Sequence, residues 1–241
     1  MRIPALLGSA LLACGLLLTA SCSAHNESSA DANPTGAATP APAVTTHFTA
    51  GDQYVTLALP KGQVTPTGPV EIVEVFSYAC PHCAEFAPYM DQLRTQLPRS
   101  VQVRFMPAVF SAAWMPSAQS FYAARELGVL PQTHDALFKA ALEHYPLNSL
   151  SDYADFYAHS GIDRDKFLAA ATSPATVKQM AADQRTEMGW GIDATPTLVV
   201  GRRASDGKDA PFVALMRSAN IDSYGQLRQL GLWMVQNVDQ R

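Results

Sequence analysis

The chain has few charged residues and no basic run. Of its 241 residues, 16% are Asp, Glu, Lys or Arg, and the formal net charge is -4. A protein that binds nucleic acid usually needs a patch or stripe of Lys and Arg, and neither occurs in this sequence. We therefore expect no nucleic-acid partner.

Cysteine is also scarce, with four positions in the chain, at Cys14, Cys22, Cys80 and Cys83. A zinc site could use Cys80, His82 and Cys83, but structural zinc usually takes a second ligand pair well separated in sequence, and the other cysteines lie near the start. We therefore predict no metal site. A purely structural disulfide is also less favoured than redox exchange, because so short a loop removes little chain entropy.

Residues 1–22 have the pattern of an export signal, with one early positive charge and an apolar run that ends in small residues. A retained membrane anchor is the alternative, but the run is short for a span. Residues 18–22, Leu-Thr-Ala-Ser-Cys, resemble a bacterial lipobox, although Thr19 stands where that pattern prefers Leu. We predict lipidation of Cys22, with ordinary cleavage near Ala24 as the alternative.

Residues 23–46 are mostly Ser, Ala, Pro, Thr and Asn, and they cannot bury enough apolar surface to fold. This composition predicts a flexible tether. Residues 47–241 are enough for one domain with a sizeable core or a large insertion. If Cys22 carries lipid, Cys80 and Cys83 are the only free cysteines of the exported domain. Such a low number suits an oxidising compartment, because additional thiols there would form wrong disulfides.

Apolar patterns divide the rest of the chain into two kinds of structure. Strands are predicted at residues 54–59, 70–76, 100–106, 195–200 and around 211–213, and helices at residues 81–97 and 223–238. Residues 112–188 carry Ala, Leu, Phe and Tyr at helical spacing, with Ser151, Asp163 and Ser173 as candidate caps. The aromatic residues of this helical region are expected to form its core.

The segment Cys80-Pro-His-Cys83 follows a buried strand and begins a helix, where Pro81 suits the first turn. Unpaired N–H groups and the helix dipole favour an anion there, so the pKa of Cys80 should be depressed and its sulfur exposed. Cys83 lies one turn deeper on the same face and can bond Cys80 or resolve a mixed disulfide. His82 should add a donor or a positive charge near the Cys80 sulfur.

Pro196 lies in the predicted strand 195–200. Proline cannot donate a hydrogen bond to a sheet and is tolerated mainly at special positions. A cis peptide bond between Thr195 and Pro196 would explain its presence.

The order of these features resembles the DsbA-type periplasmic thiol:disulfide oxidoreductases. Pro-His between Cys80 and Cys83 is typical of DsbA, whereas thioredoxins carry Gly-Pro and the dimeric isomerases usually Gly-Tyr. The resemblance covers about residues 48–238 and includes the segment that ends in Thr195 and Pro196. It implies an α/β thioredoxin fold with an inserted all-helical domain. Residues 47–111 and 189–241 would form the thioredoxin-like domain, and residues 112–188 the insertion.

The resemblance also implies a function and its partners. A substrate thiolate would attack Cys80 to give a mixed disulfide, and a second substrate thiol would then release the reduced enzyme. The substrates would be exported proteins with reduced cysteines, and a DsbB-type, quinone-linked membrane protein would restore the disulfide. No organic cofactor is implied beyond the Cys80–Cys83 pair. We expect a periplasmic monomer, held to a membrane only by a lipid at Cys22.

Further site residues follow from the family pattern. Glu74 occupies the acidic position six residues before the first cysteine, where it could relay a proton to Cys83. Pro196 should leave the backbone of Thr195 free to pair with an extended substrate. Thr195 replaces a Val that is frequent in the best-known oxidases, and this keeps a disulfide isomerase or reductase open as an alternative. A second alternative is a binding protein or chaperone whose cysteines only respond to the redox state.

Overall fold

The computed structural model of the protein describes residues 47–57, 67–203, 215–217 and 220–239. Four predictions lie outside these residues: the signal at 1–22, the lipidation site Cys22, the tether at 23–46 and the strand around 211–213. In the part of the chain that the structure describes, no helix is long and apolar enough to span a membrane.

The five strands are β1 (Tyr54–Thr56), β2 (Val70–Phe76), β3 (Gln102–Pro107), β4 (Thr197–Arg202) and β5 (Leu215–Arg217). The seven α-helices are α1 (Pro81–Gln96), α2 (Met115–Glu126), α3 (Leu130–Leu142), α4 (Leu150–His159), α5 (Arg164–Ala171), α6 (Pro174–Gly189) and α7 (Tyr224–Gln236). A short 3-10 turn, Ala112–Trp114, precedes α2. Helices α2 to α6 match the region predicted to be helical, residues 112–188, except that α6 ends one residue later, at Gly189.

The central sheet has the order β3-β2-β4. Strand β2 runs parallel to β3 and antiparallel to β4, so Glu74 pairs with Phe105 on one side and with Leu198 on the other. Strands β1 and β5 form a separate antiparallel pair. The β2–α1–β3 unit confirms the predicted parallel crossover, which places the start of α1 at the carboxyl end of β2.

Both faces of β2 are covered, and for this reason its sequence is almost continuously apolar. On one face, Ile72 packs in a cluster with buried residues of α1, β4 and α7, including Leu93 and Leu227. On the other face, Val73 and Val75 pack with Met106, Val199 and Trp190. The strand that leads to the cysteines is therefore rigidly held.

The helices between β3 and β4 enclose an aromatic core, as the sequence predicts. Its buried members include Phe121, Tyr122, Phe138, Tyr153, Tyr157 and Phe167, while Phe156 is only partly buried against them. Asp163 and Ser173 cap α5 and α6 as predicted. The prediction for Ser151 is wrong, because Ser149 caps α4 in a capping box with Asp152.

Candidate active site

The cysteine pair lies at the amino end of α1. Cys80 is the N-cap residue, and its carbonyl accepts hydrogen bonds from the backbone N–H groups of Cys83 at 3.1 Å and Ala84 at 3.3 Å. Both cysteines are free thiols. Cys83 is completely buried, and Cys80 is only 5% exposed. The expectation of an exposed Cys80 is therefore wrong, because the chain at Thr195 lies against its sulfur, with Sγ 3.6 Å from the Thr195 carbonyl oxygen.

The two sulfurs have opposite acidities. The pKa of Cys80 is lowered to about 5, and the largest cause is the hydrogen bond that its sulfur accepts from the Cys83 thiol. Burial opposes this shift, whereas Thr195 and the backbone N–H groups of Cys83 and His82 lower the pKa further. Burial raises the pKa of Cys83 well above its usual value, and the Cys80 sulfur and Glu74 raise it further. Near neutral pH the pair therefore consists of a Cys80 thiolate and a Cys83 thiol.

His82 has contacts on both its side chain and its backbone. Its Nδ1 lies 2.9 Å from the hydroxyl of Tyr224 and 3.5 Å from a carboxylate oxygen of Glu85. The group of His82 that lowers the pKa of Cys80 is the backbone N–H. The sequence predicts a donor or a positive charge from His82 near the Cys80 sulfur; the donor that the structure shows is the backbone N–H, while Nδ1 of the ring contacts Tyr224 of α7. Pro81 is the first residue of α1, as expected.

Glu74 lies in the middle of β2 and is 1% exposed. Burial raises its pKa to about 8; Asp91 and Asp135 raise it as well, whereas Arg94 lowers it. No described residue hydrogen-bonds its Oε1. Glu74 is therefore mostly a neutral carboxylic acid near pH 7, and it is close enough to Cys83 to influence the pKa of that thiol.

The peptide bond between Thr195 and Pro196 is cis, as the sequence predicts. Antiparallel pairing of β4 with β2 brings this bond to the cysteines, which lie far away in sequence. The hydroxyl of Thr197 donates to the carbonyl of Ala194 at 2.8 Å and ties the loop across the cis bond. Thr195 is 7% exposed, and its side chain lowers the pKa of both cysteines.

Several residues that support the site were not predicted. The Ser117 hydroxyl of α2 accepts the backbone N–H of Tyr78 at 2.9 Å and pairs with the hydroxyl of Ser77 at 3.0 Å. The Tyr78 hydroxyl lies 2.7 Å from Nδ1 of the buried His134 of α3. These pairs join the active-site loop to the inserted helices. No local pattern could have indicated them, because the partners are about 40 to 56 residues apart.

The arrangement is suited to thiol–disulfide exchange. A sulfur that is ionised at neutral pH can attack a disulfide or be the leaving group of one. A second sulfur one turn deeper can then form the intramolecular disulfide. Among the described residues, no three His, Cys, Asp or Glu side chains are grouped in a way that could hold a metal ion. The fold and the site together define a dithiol–disulfide exchange protein of the thioredoxin type.

Comparisons with known proteins agree. A family model described as Thioredoxin matches residues 65–211. The thiol:disulfide interchange protein DsbA of Pseudomonas aeruginosa is 36% identical over 154 residues, which cover 64% of this chain and 72% of that protein. The protein of the same name from Azotobacter vinelandii is 35% identical over 151 residues, covering 62% of this chain and 70% of that protein.

Solved structures give the same result. A crystal structure of Pseudomonas aeruginosa DsbA superimposes with a TM-score of 0.66 at 30% identity, over 79% of this chain and 94% of that one. DsbA from Xylella fastidiosa gives a TM-score of 0.65 at 28% identity, over 79% and 97%. The chain belongs to the DsbA-type thiol:disulfide interchange proteins of the thioredoxin family. It is a thiol:disulfide oxidoreductase that introduces disulfide bonds, and the isomerase, reductase and binding-protein alternatives are not favoured.

Proposed function

We propose that this oxidoreductase oxidises pairs of cysteines in exported proteins through a Cys80–Cys83 disulfide. The observation that carries the proposal is the pKa of Cys80, which the site lowers to about 5. A thiol with a low pKa is a good leaving group, and stabilising its thiolate favours the reduced enzyme. An enzyme whose reduced form is stabilised is a strong oxidant of other thiols.

In the first step, a substrate thiolate attacks the Cys80 sulfur, a new S–S bond forms, and the Cys80–Cys83 bond breaks. The electron pair leaves on Cys83, whose raised pKa makes it take up a proton at once. We assign the supply of this proton to Glu74, because it is a buried carboxylic acid with a pKa of about 8. The transfer moves the negative charge from the Cys83 sulfur to the Glu74 carboxylate, which is favourable because the pKa of Cys83 is the higher of the two.

In the second step, the other substrate thiolate attacks the substrate sulfur of the mixed disulfide. The substrate leaves with its own disulfide, and Cys80 departs as a thiolate that the first turn of α1 stabilises. The enzyme has then gained two electrons. We assign its reoxidation to a DsbB-type, quinone-linked membrane partner.

We assign substrate docking to the loop at Thr195 and Pro196. Pro196 has no N–H, and the carbonyl of Thr195 lies against the Cys80 sulfur. An extended substrate segment could pair with the backbone of Thr195 and would then present its cysteine to Cys80, as in other cases of strand addition. The pattern of residues 1–22 supports a periplasmic location, and we retain lipidation of Cys22 and a monomeric state as parts of the proposal.

The direction of exchange tests this function. Oxidised enzyme is mixed with a reduced peptide that carries two cysteines, and the disulfide content of the peptide is followed by mass spectrometry. We expect the peptide to be oxidised stoichiometrically and the reduction potential of the enzyme to be more oxidising than that of glutathione. A potential more reducing than glutathione, together with efficient reshuffling of a scrambled protein, would instead identify an isomerase or reductase.

A further inference from the structure

A chain of three polar groups joins α1 to α7 beside the cysteines. The hydroxyl of Tyr224 donates to a carboxylate oxygen of Glu85 at 2.7 Å, and the same hydroxyl lies 2.9 Å from Nδ1 of His82. The Nδ1 atom is also 3.5 Å from that carboxylate. The family comparison does not assign a role to Tyr224 or Glu85.

The direction of these hydrogen bonds follows from the donors available. A carboxylate can only accept, so the single proton of the Tyr224 hydroxyl is directed to Glu85. The tyrosine oxygen is then the acceptor toward His82, so Nδ1 must carry a proton and donate it in this hydrogen bond. In the neutral imidazole this leaves Nε2 unprotonated.

Tyr224 is well placed to enforce this arrangement. It is the first residue of α7, and the preceding residue, Ser223, caps the helix by accepting the N–H of Gln226 at 3.1 Å. Its ring packs against Phe86 and Tyr89 of α1, with centroids 6.0 and 5.9 Å away. The hydroxyl is therefore held over the first turn of α1, where His82 and Glu85 lie.

We propose that Tyr224 and Glu85 are positioning residues that hold His82 in the tautomer with Nδ1 protonated, so that Nε2 can take the proton of an incoming substrate thiol. The proposal rests on the exchange function described above. It adds a residue that prepares the substrate, whereas Cys80 and Cys83 carry out the exchange. It also gives a role to an imidazole that is not used to lower the pKa of Cys80.

The need for such a base is chemical. A free cysteine has a pKa of about 8.5, so at neutral pH most substrate thiols are protonated and unreactive. The side chain of His82 is 70% exposed, and the residue follows Cys80 by two positions, so we expect an arriving thiol to meet the ring. The substrate S–H bond breaks, and its proton moves to Nε2. The substrate sulfur bonds to Cys80, and the electron pair of the Cys80–Cys83 bond leaves on Cys83. The imidazolium then returns its proton to solvent.

The charged and titratable groups around the ring come from both helices. Glu85 lies in α1 and Cys80 caps that helix, while Tyr224 begins α7 and Asp222 lies two residues before it. His82, Asp222 and Tyr224 line one cavity of about 460 Å³, together with Tyr89, Ile221 and Leu227. A pH profile of the enzyme must therefore be interpreted with all four groups in view.

Nitrogen-15 NMR of His82 tests the positioning directly, because the two ring nitrogens report which of them carries the proton. In the wild-type protein, above the pH at which the ring becomes neutral, we expect Nδ1–H. Tyr224→Phe removes the acceptor and keeps the ring packing, and Glu85→Ala frees the tyrosine proton to turn toward Nδ1. Both variants should shift His82 to Nε2–H, the form that isolated histidine prefers. The control Tyr89→Phe removes a different hydroxyl from the same cavity and should leave the tautomer unchanged.

Kinetics then test the use of Nε2. A positioned general base typically raises the rate of a reaction by roughly 10²- to 10⁴-fold. Tyr224→Phe should reduce the fraction of His82 that has an unprotonated Nε2, and oxidation of a thiol peptide should therefore slow by about tenfold near pH 7. Above about pH 9.5 the peptide thiol is already ionised, and the variant should match the wild type.

Three results would overturn the inference: Nε2–H in the wild-type protein, an unchanged tautomer in Tyr224→Phe, or a rate loss that is equal at every pH. Each of them leaves the exchange function intact as long as the wild-type protein oxidises the peptide. Failure of the wild-type protein to oxidise the peptide at any pH would refute the proposed function instead.

Discussion

The chemistry of the site arises from two sulfurs that lie one turn apart at the start of α1. Cys80 faces the free N–H groups at the helix start, whereas Cys83 is enclosed and close to Glu74. The same helix therefore lowers the pKa of one thiol and allows burial to raise the pKa of the other. This difference supports the proposed roles, in which Cys80 is attacked by substrate and Cys83 resolves the mixed disulfide.

Trapping of substrates tests these two roles. Cys83→Ala should accumulate mixed disulfides with substrate proteins, because no second thiol is present to release them. Cys80→Ala is the matched control, and it should form few mixed disulfides and lose activity, since the remaining thiol is buried and protonated. Non-reducing gels of the two variants, followed by mass spectrometry, measure the difference. Equal trapping by both variants would contradict the assignment.

Glu74 is a second residue whose environment makes a measurable prediction. Its pKa is raised from 4.5 to about 8, so the folded protein retains a proton that the unfolded chain loses in this window. Stability due to this group is present below about pH 4.5 and falls as the pH rises toward 8.

Glu74→Leu should remove this pH dependence. We expect the free energy of unfolding of the variant to exceed that of the wild type by roughly 2–4 kcal/mol above pH 8 and to match it near pH 4.5. Urea titrations of the oxidised proteins measure this, because no cysteine titrates in that state. The same variant should slow the reaction of Cys83, for which we propose that Glu74 supplies the proton. A stability difference that is constant with pH would show that Glu74 ionises normally.

At the scale of elements, the close contact of α7 with α1 and the sheet keeps the active-site face in place. Gly231 lies at this contact, and a Cβ there would be 2.9 Å from methyl groups of Leu198 and Leu93 and 3.4 Å from one of Ile72. All three neighbours are fully buried. The glycine allows the helix to lie close to the sheet, and this position also brings Tyr224 to His82.

Gly231→Ala should therefore destabilise the protein by roughly 1–3 kcal/mol, although alanine is the better helix former. Gly189→Ala in α6 is the matched control, because no described atom lies within 4 Å of its Cβ position. That change should stabilise the protein by about 0.5–1 kcal/mol. Urea unfolding of both variants gives the comparison, and a gain in stability for Gly231→Ala would disprove the close contact.

The whole molecule should respond to oxidation in an unusual direction, with the reduced form more stable than the oxidised form. Oxidation removes the Cys80 thiolate that the site favours, and the small disulfide loop adds little entropic stabilisation. DsbA itself is the established example of an oxidant whose reduced form is stabilised, and membership of this family favours the same direction here. This structure supplies the cause in the contacts that lower the pKa of Cys80.

The pH dependence of this difference has a defined sign. The pKa of Cys80 is lowered from 9.0 to about 5, so its contribution is complete above pH 9 and disappears as the pH falls through 5. The difference in unfolding free energy between the reduced and oxidised forms cannot change by more than about 1.4 kcal/mol per pH unit, because one proton is involved. Paired denaturant titrations of oxidised and reduced protein from pH 5 to 9 measure it. If the oxidised form were the more stable throughout, Cys80 would not be an activated thiolate.

We expect any attachment of the protein to a membrane to depend on the proposed lipidation of Cys22. Cys22→Ser should prevent lipidation and release the protein into the soluble periplasmic fraction, because the composition of residues 23–46 predicts a tether with no other hold on a membrane. Mass spectrometry of the mature N-terminus, compared between wild type and variant, is the measurement. A wild-type chain that begins unmodified near Ala24 would show that the signal is cleaved in the ordinary way.

Much of the fold could be predicted because it depends on local patterns. Strand β2 occupies the predicted residues 70–76, and α1 begins at Pro81, since an apolar run and a helix-starting proline act over a few residues. The predicted cap of α4 is wrong by two residues, because Ser149 and Ser151 look alike without their contacts. The cis bond at Pro196 was predictable because proline cannot donate to a sheet.

The sequence by itself determined the kind of chemistry: two cysteines one helical turn apart, at the start of a helix that follows a buried strand. Only the tertiary structure decided that Thr195 covers Cys80, that Glu74 is mostly protonated near neutral pH, and that His82 turns to Tyr224. The physical reason is distance along the chain. Helix starts and strands arise from neighbouring residues, whereas burial and hydrogen-bond partners come from elements that meet only when the whole domain has folded.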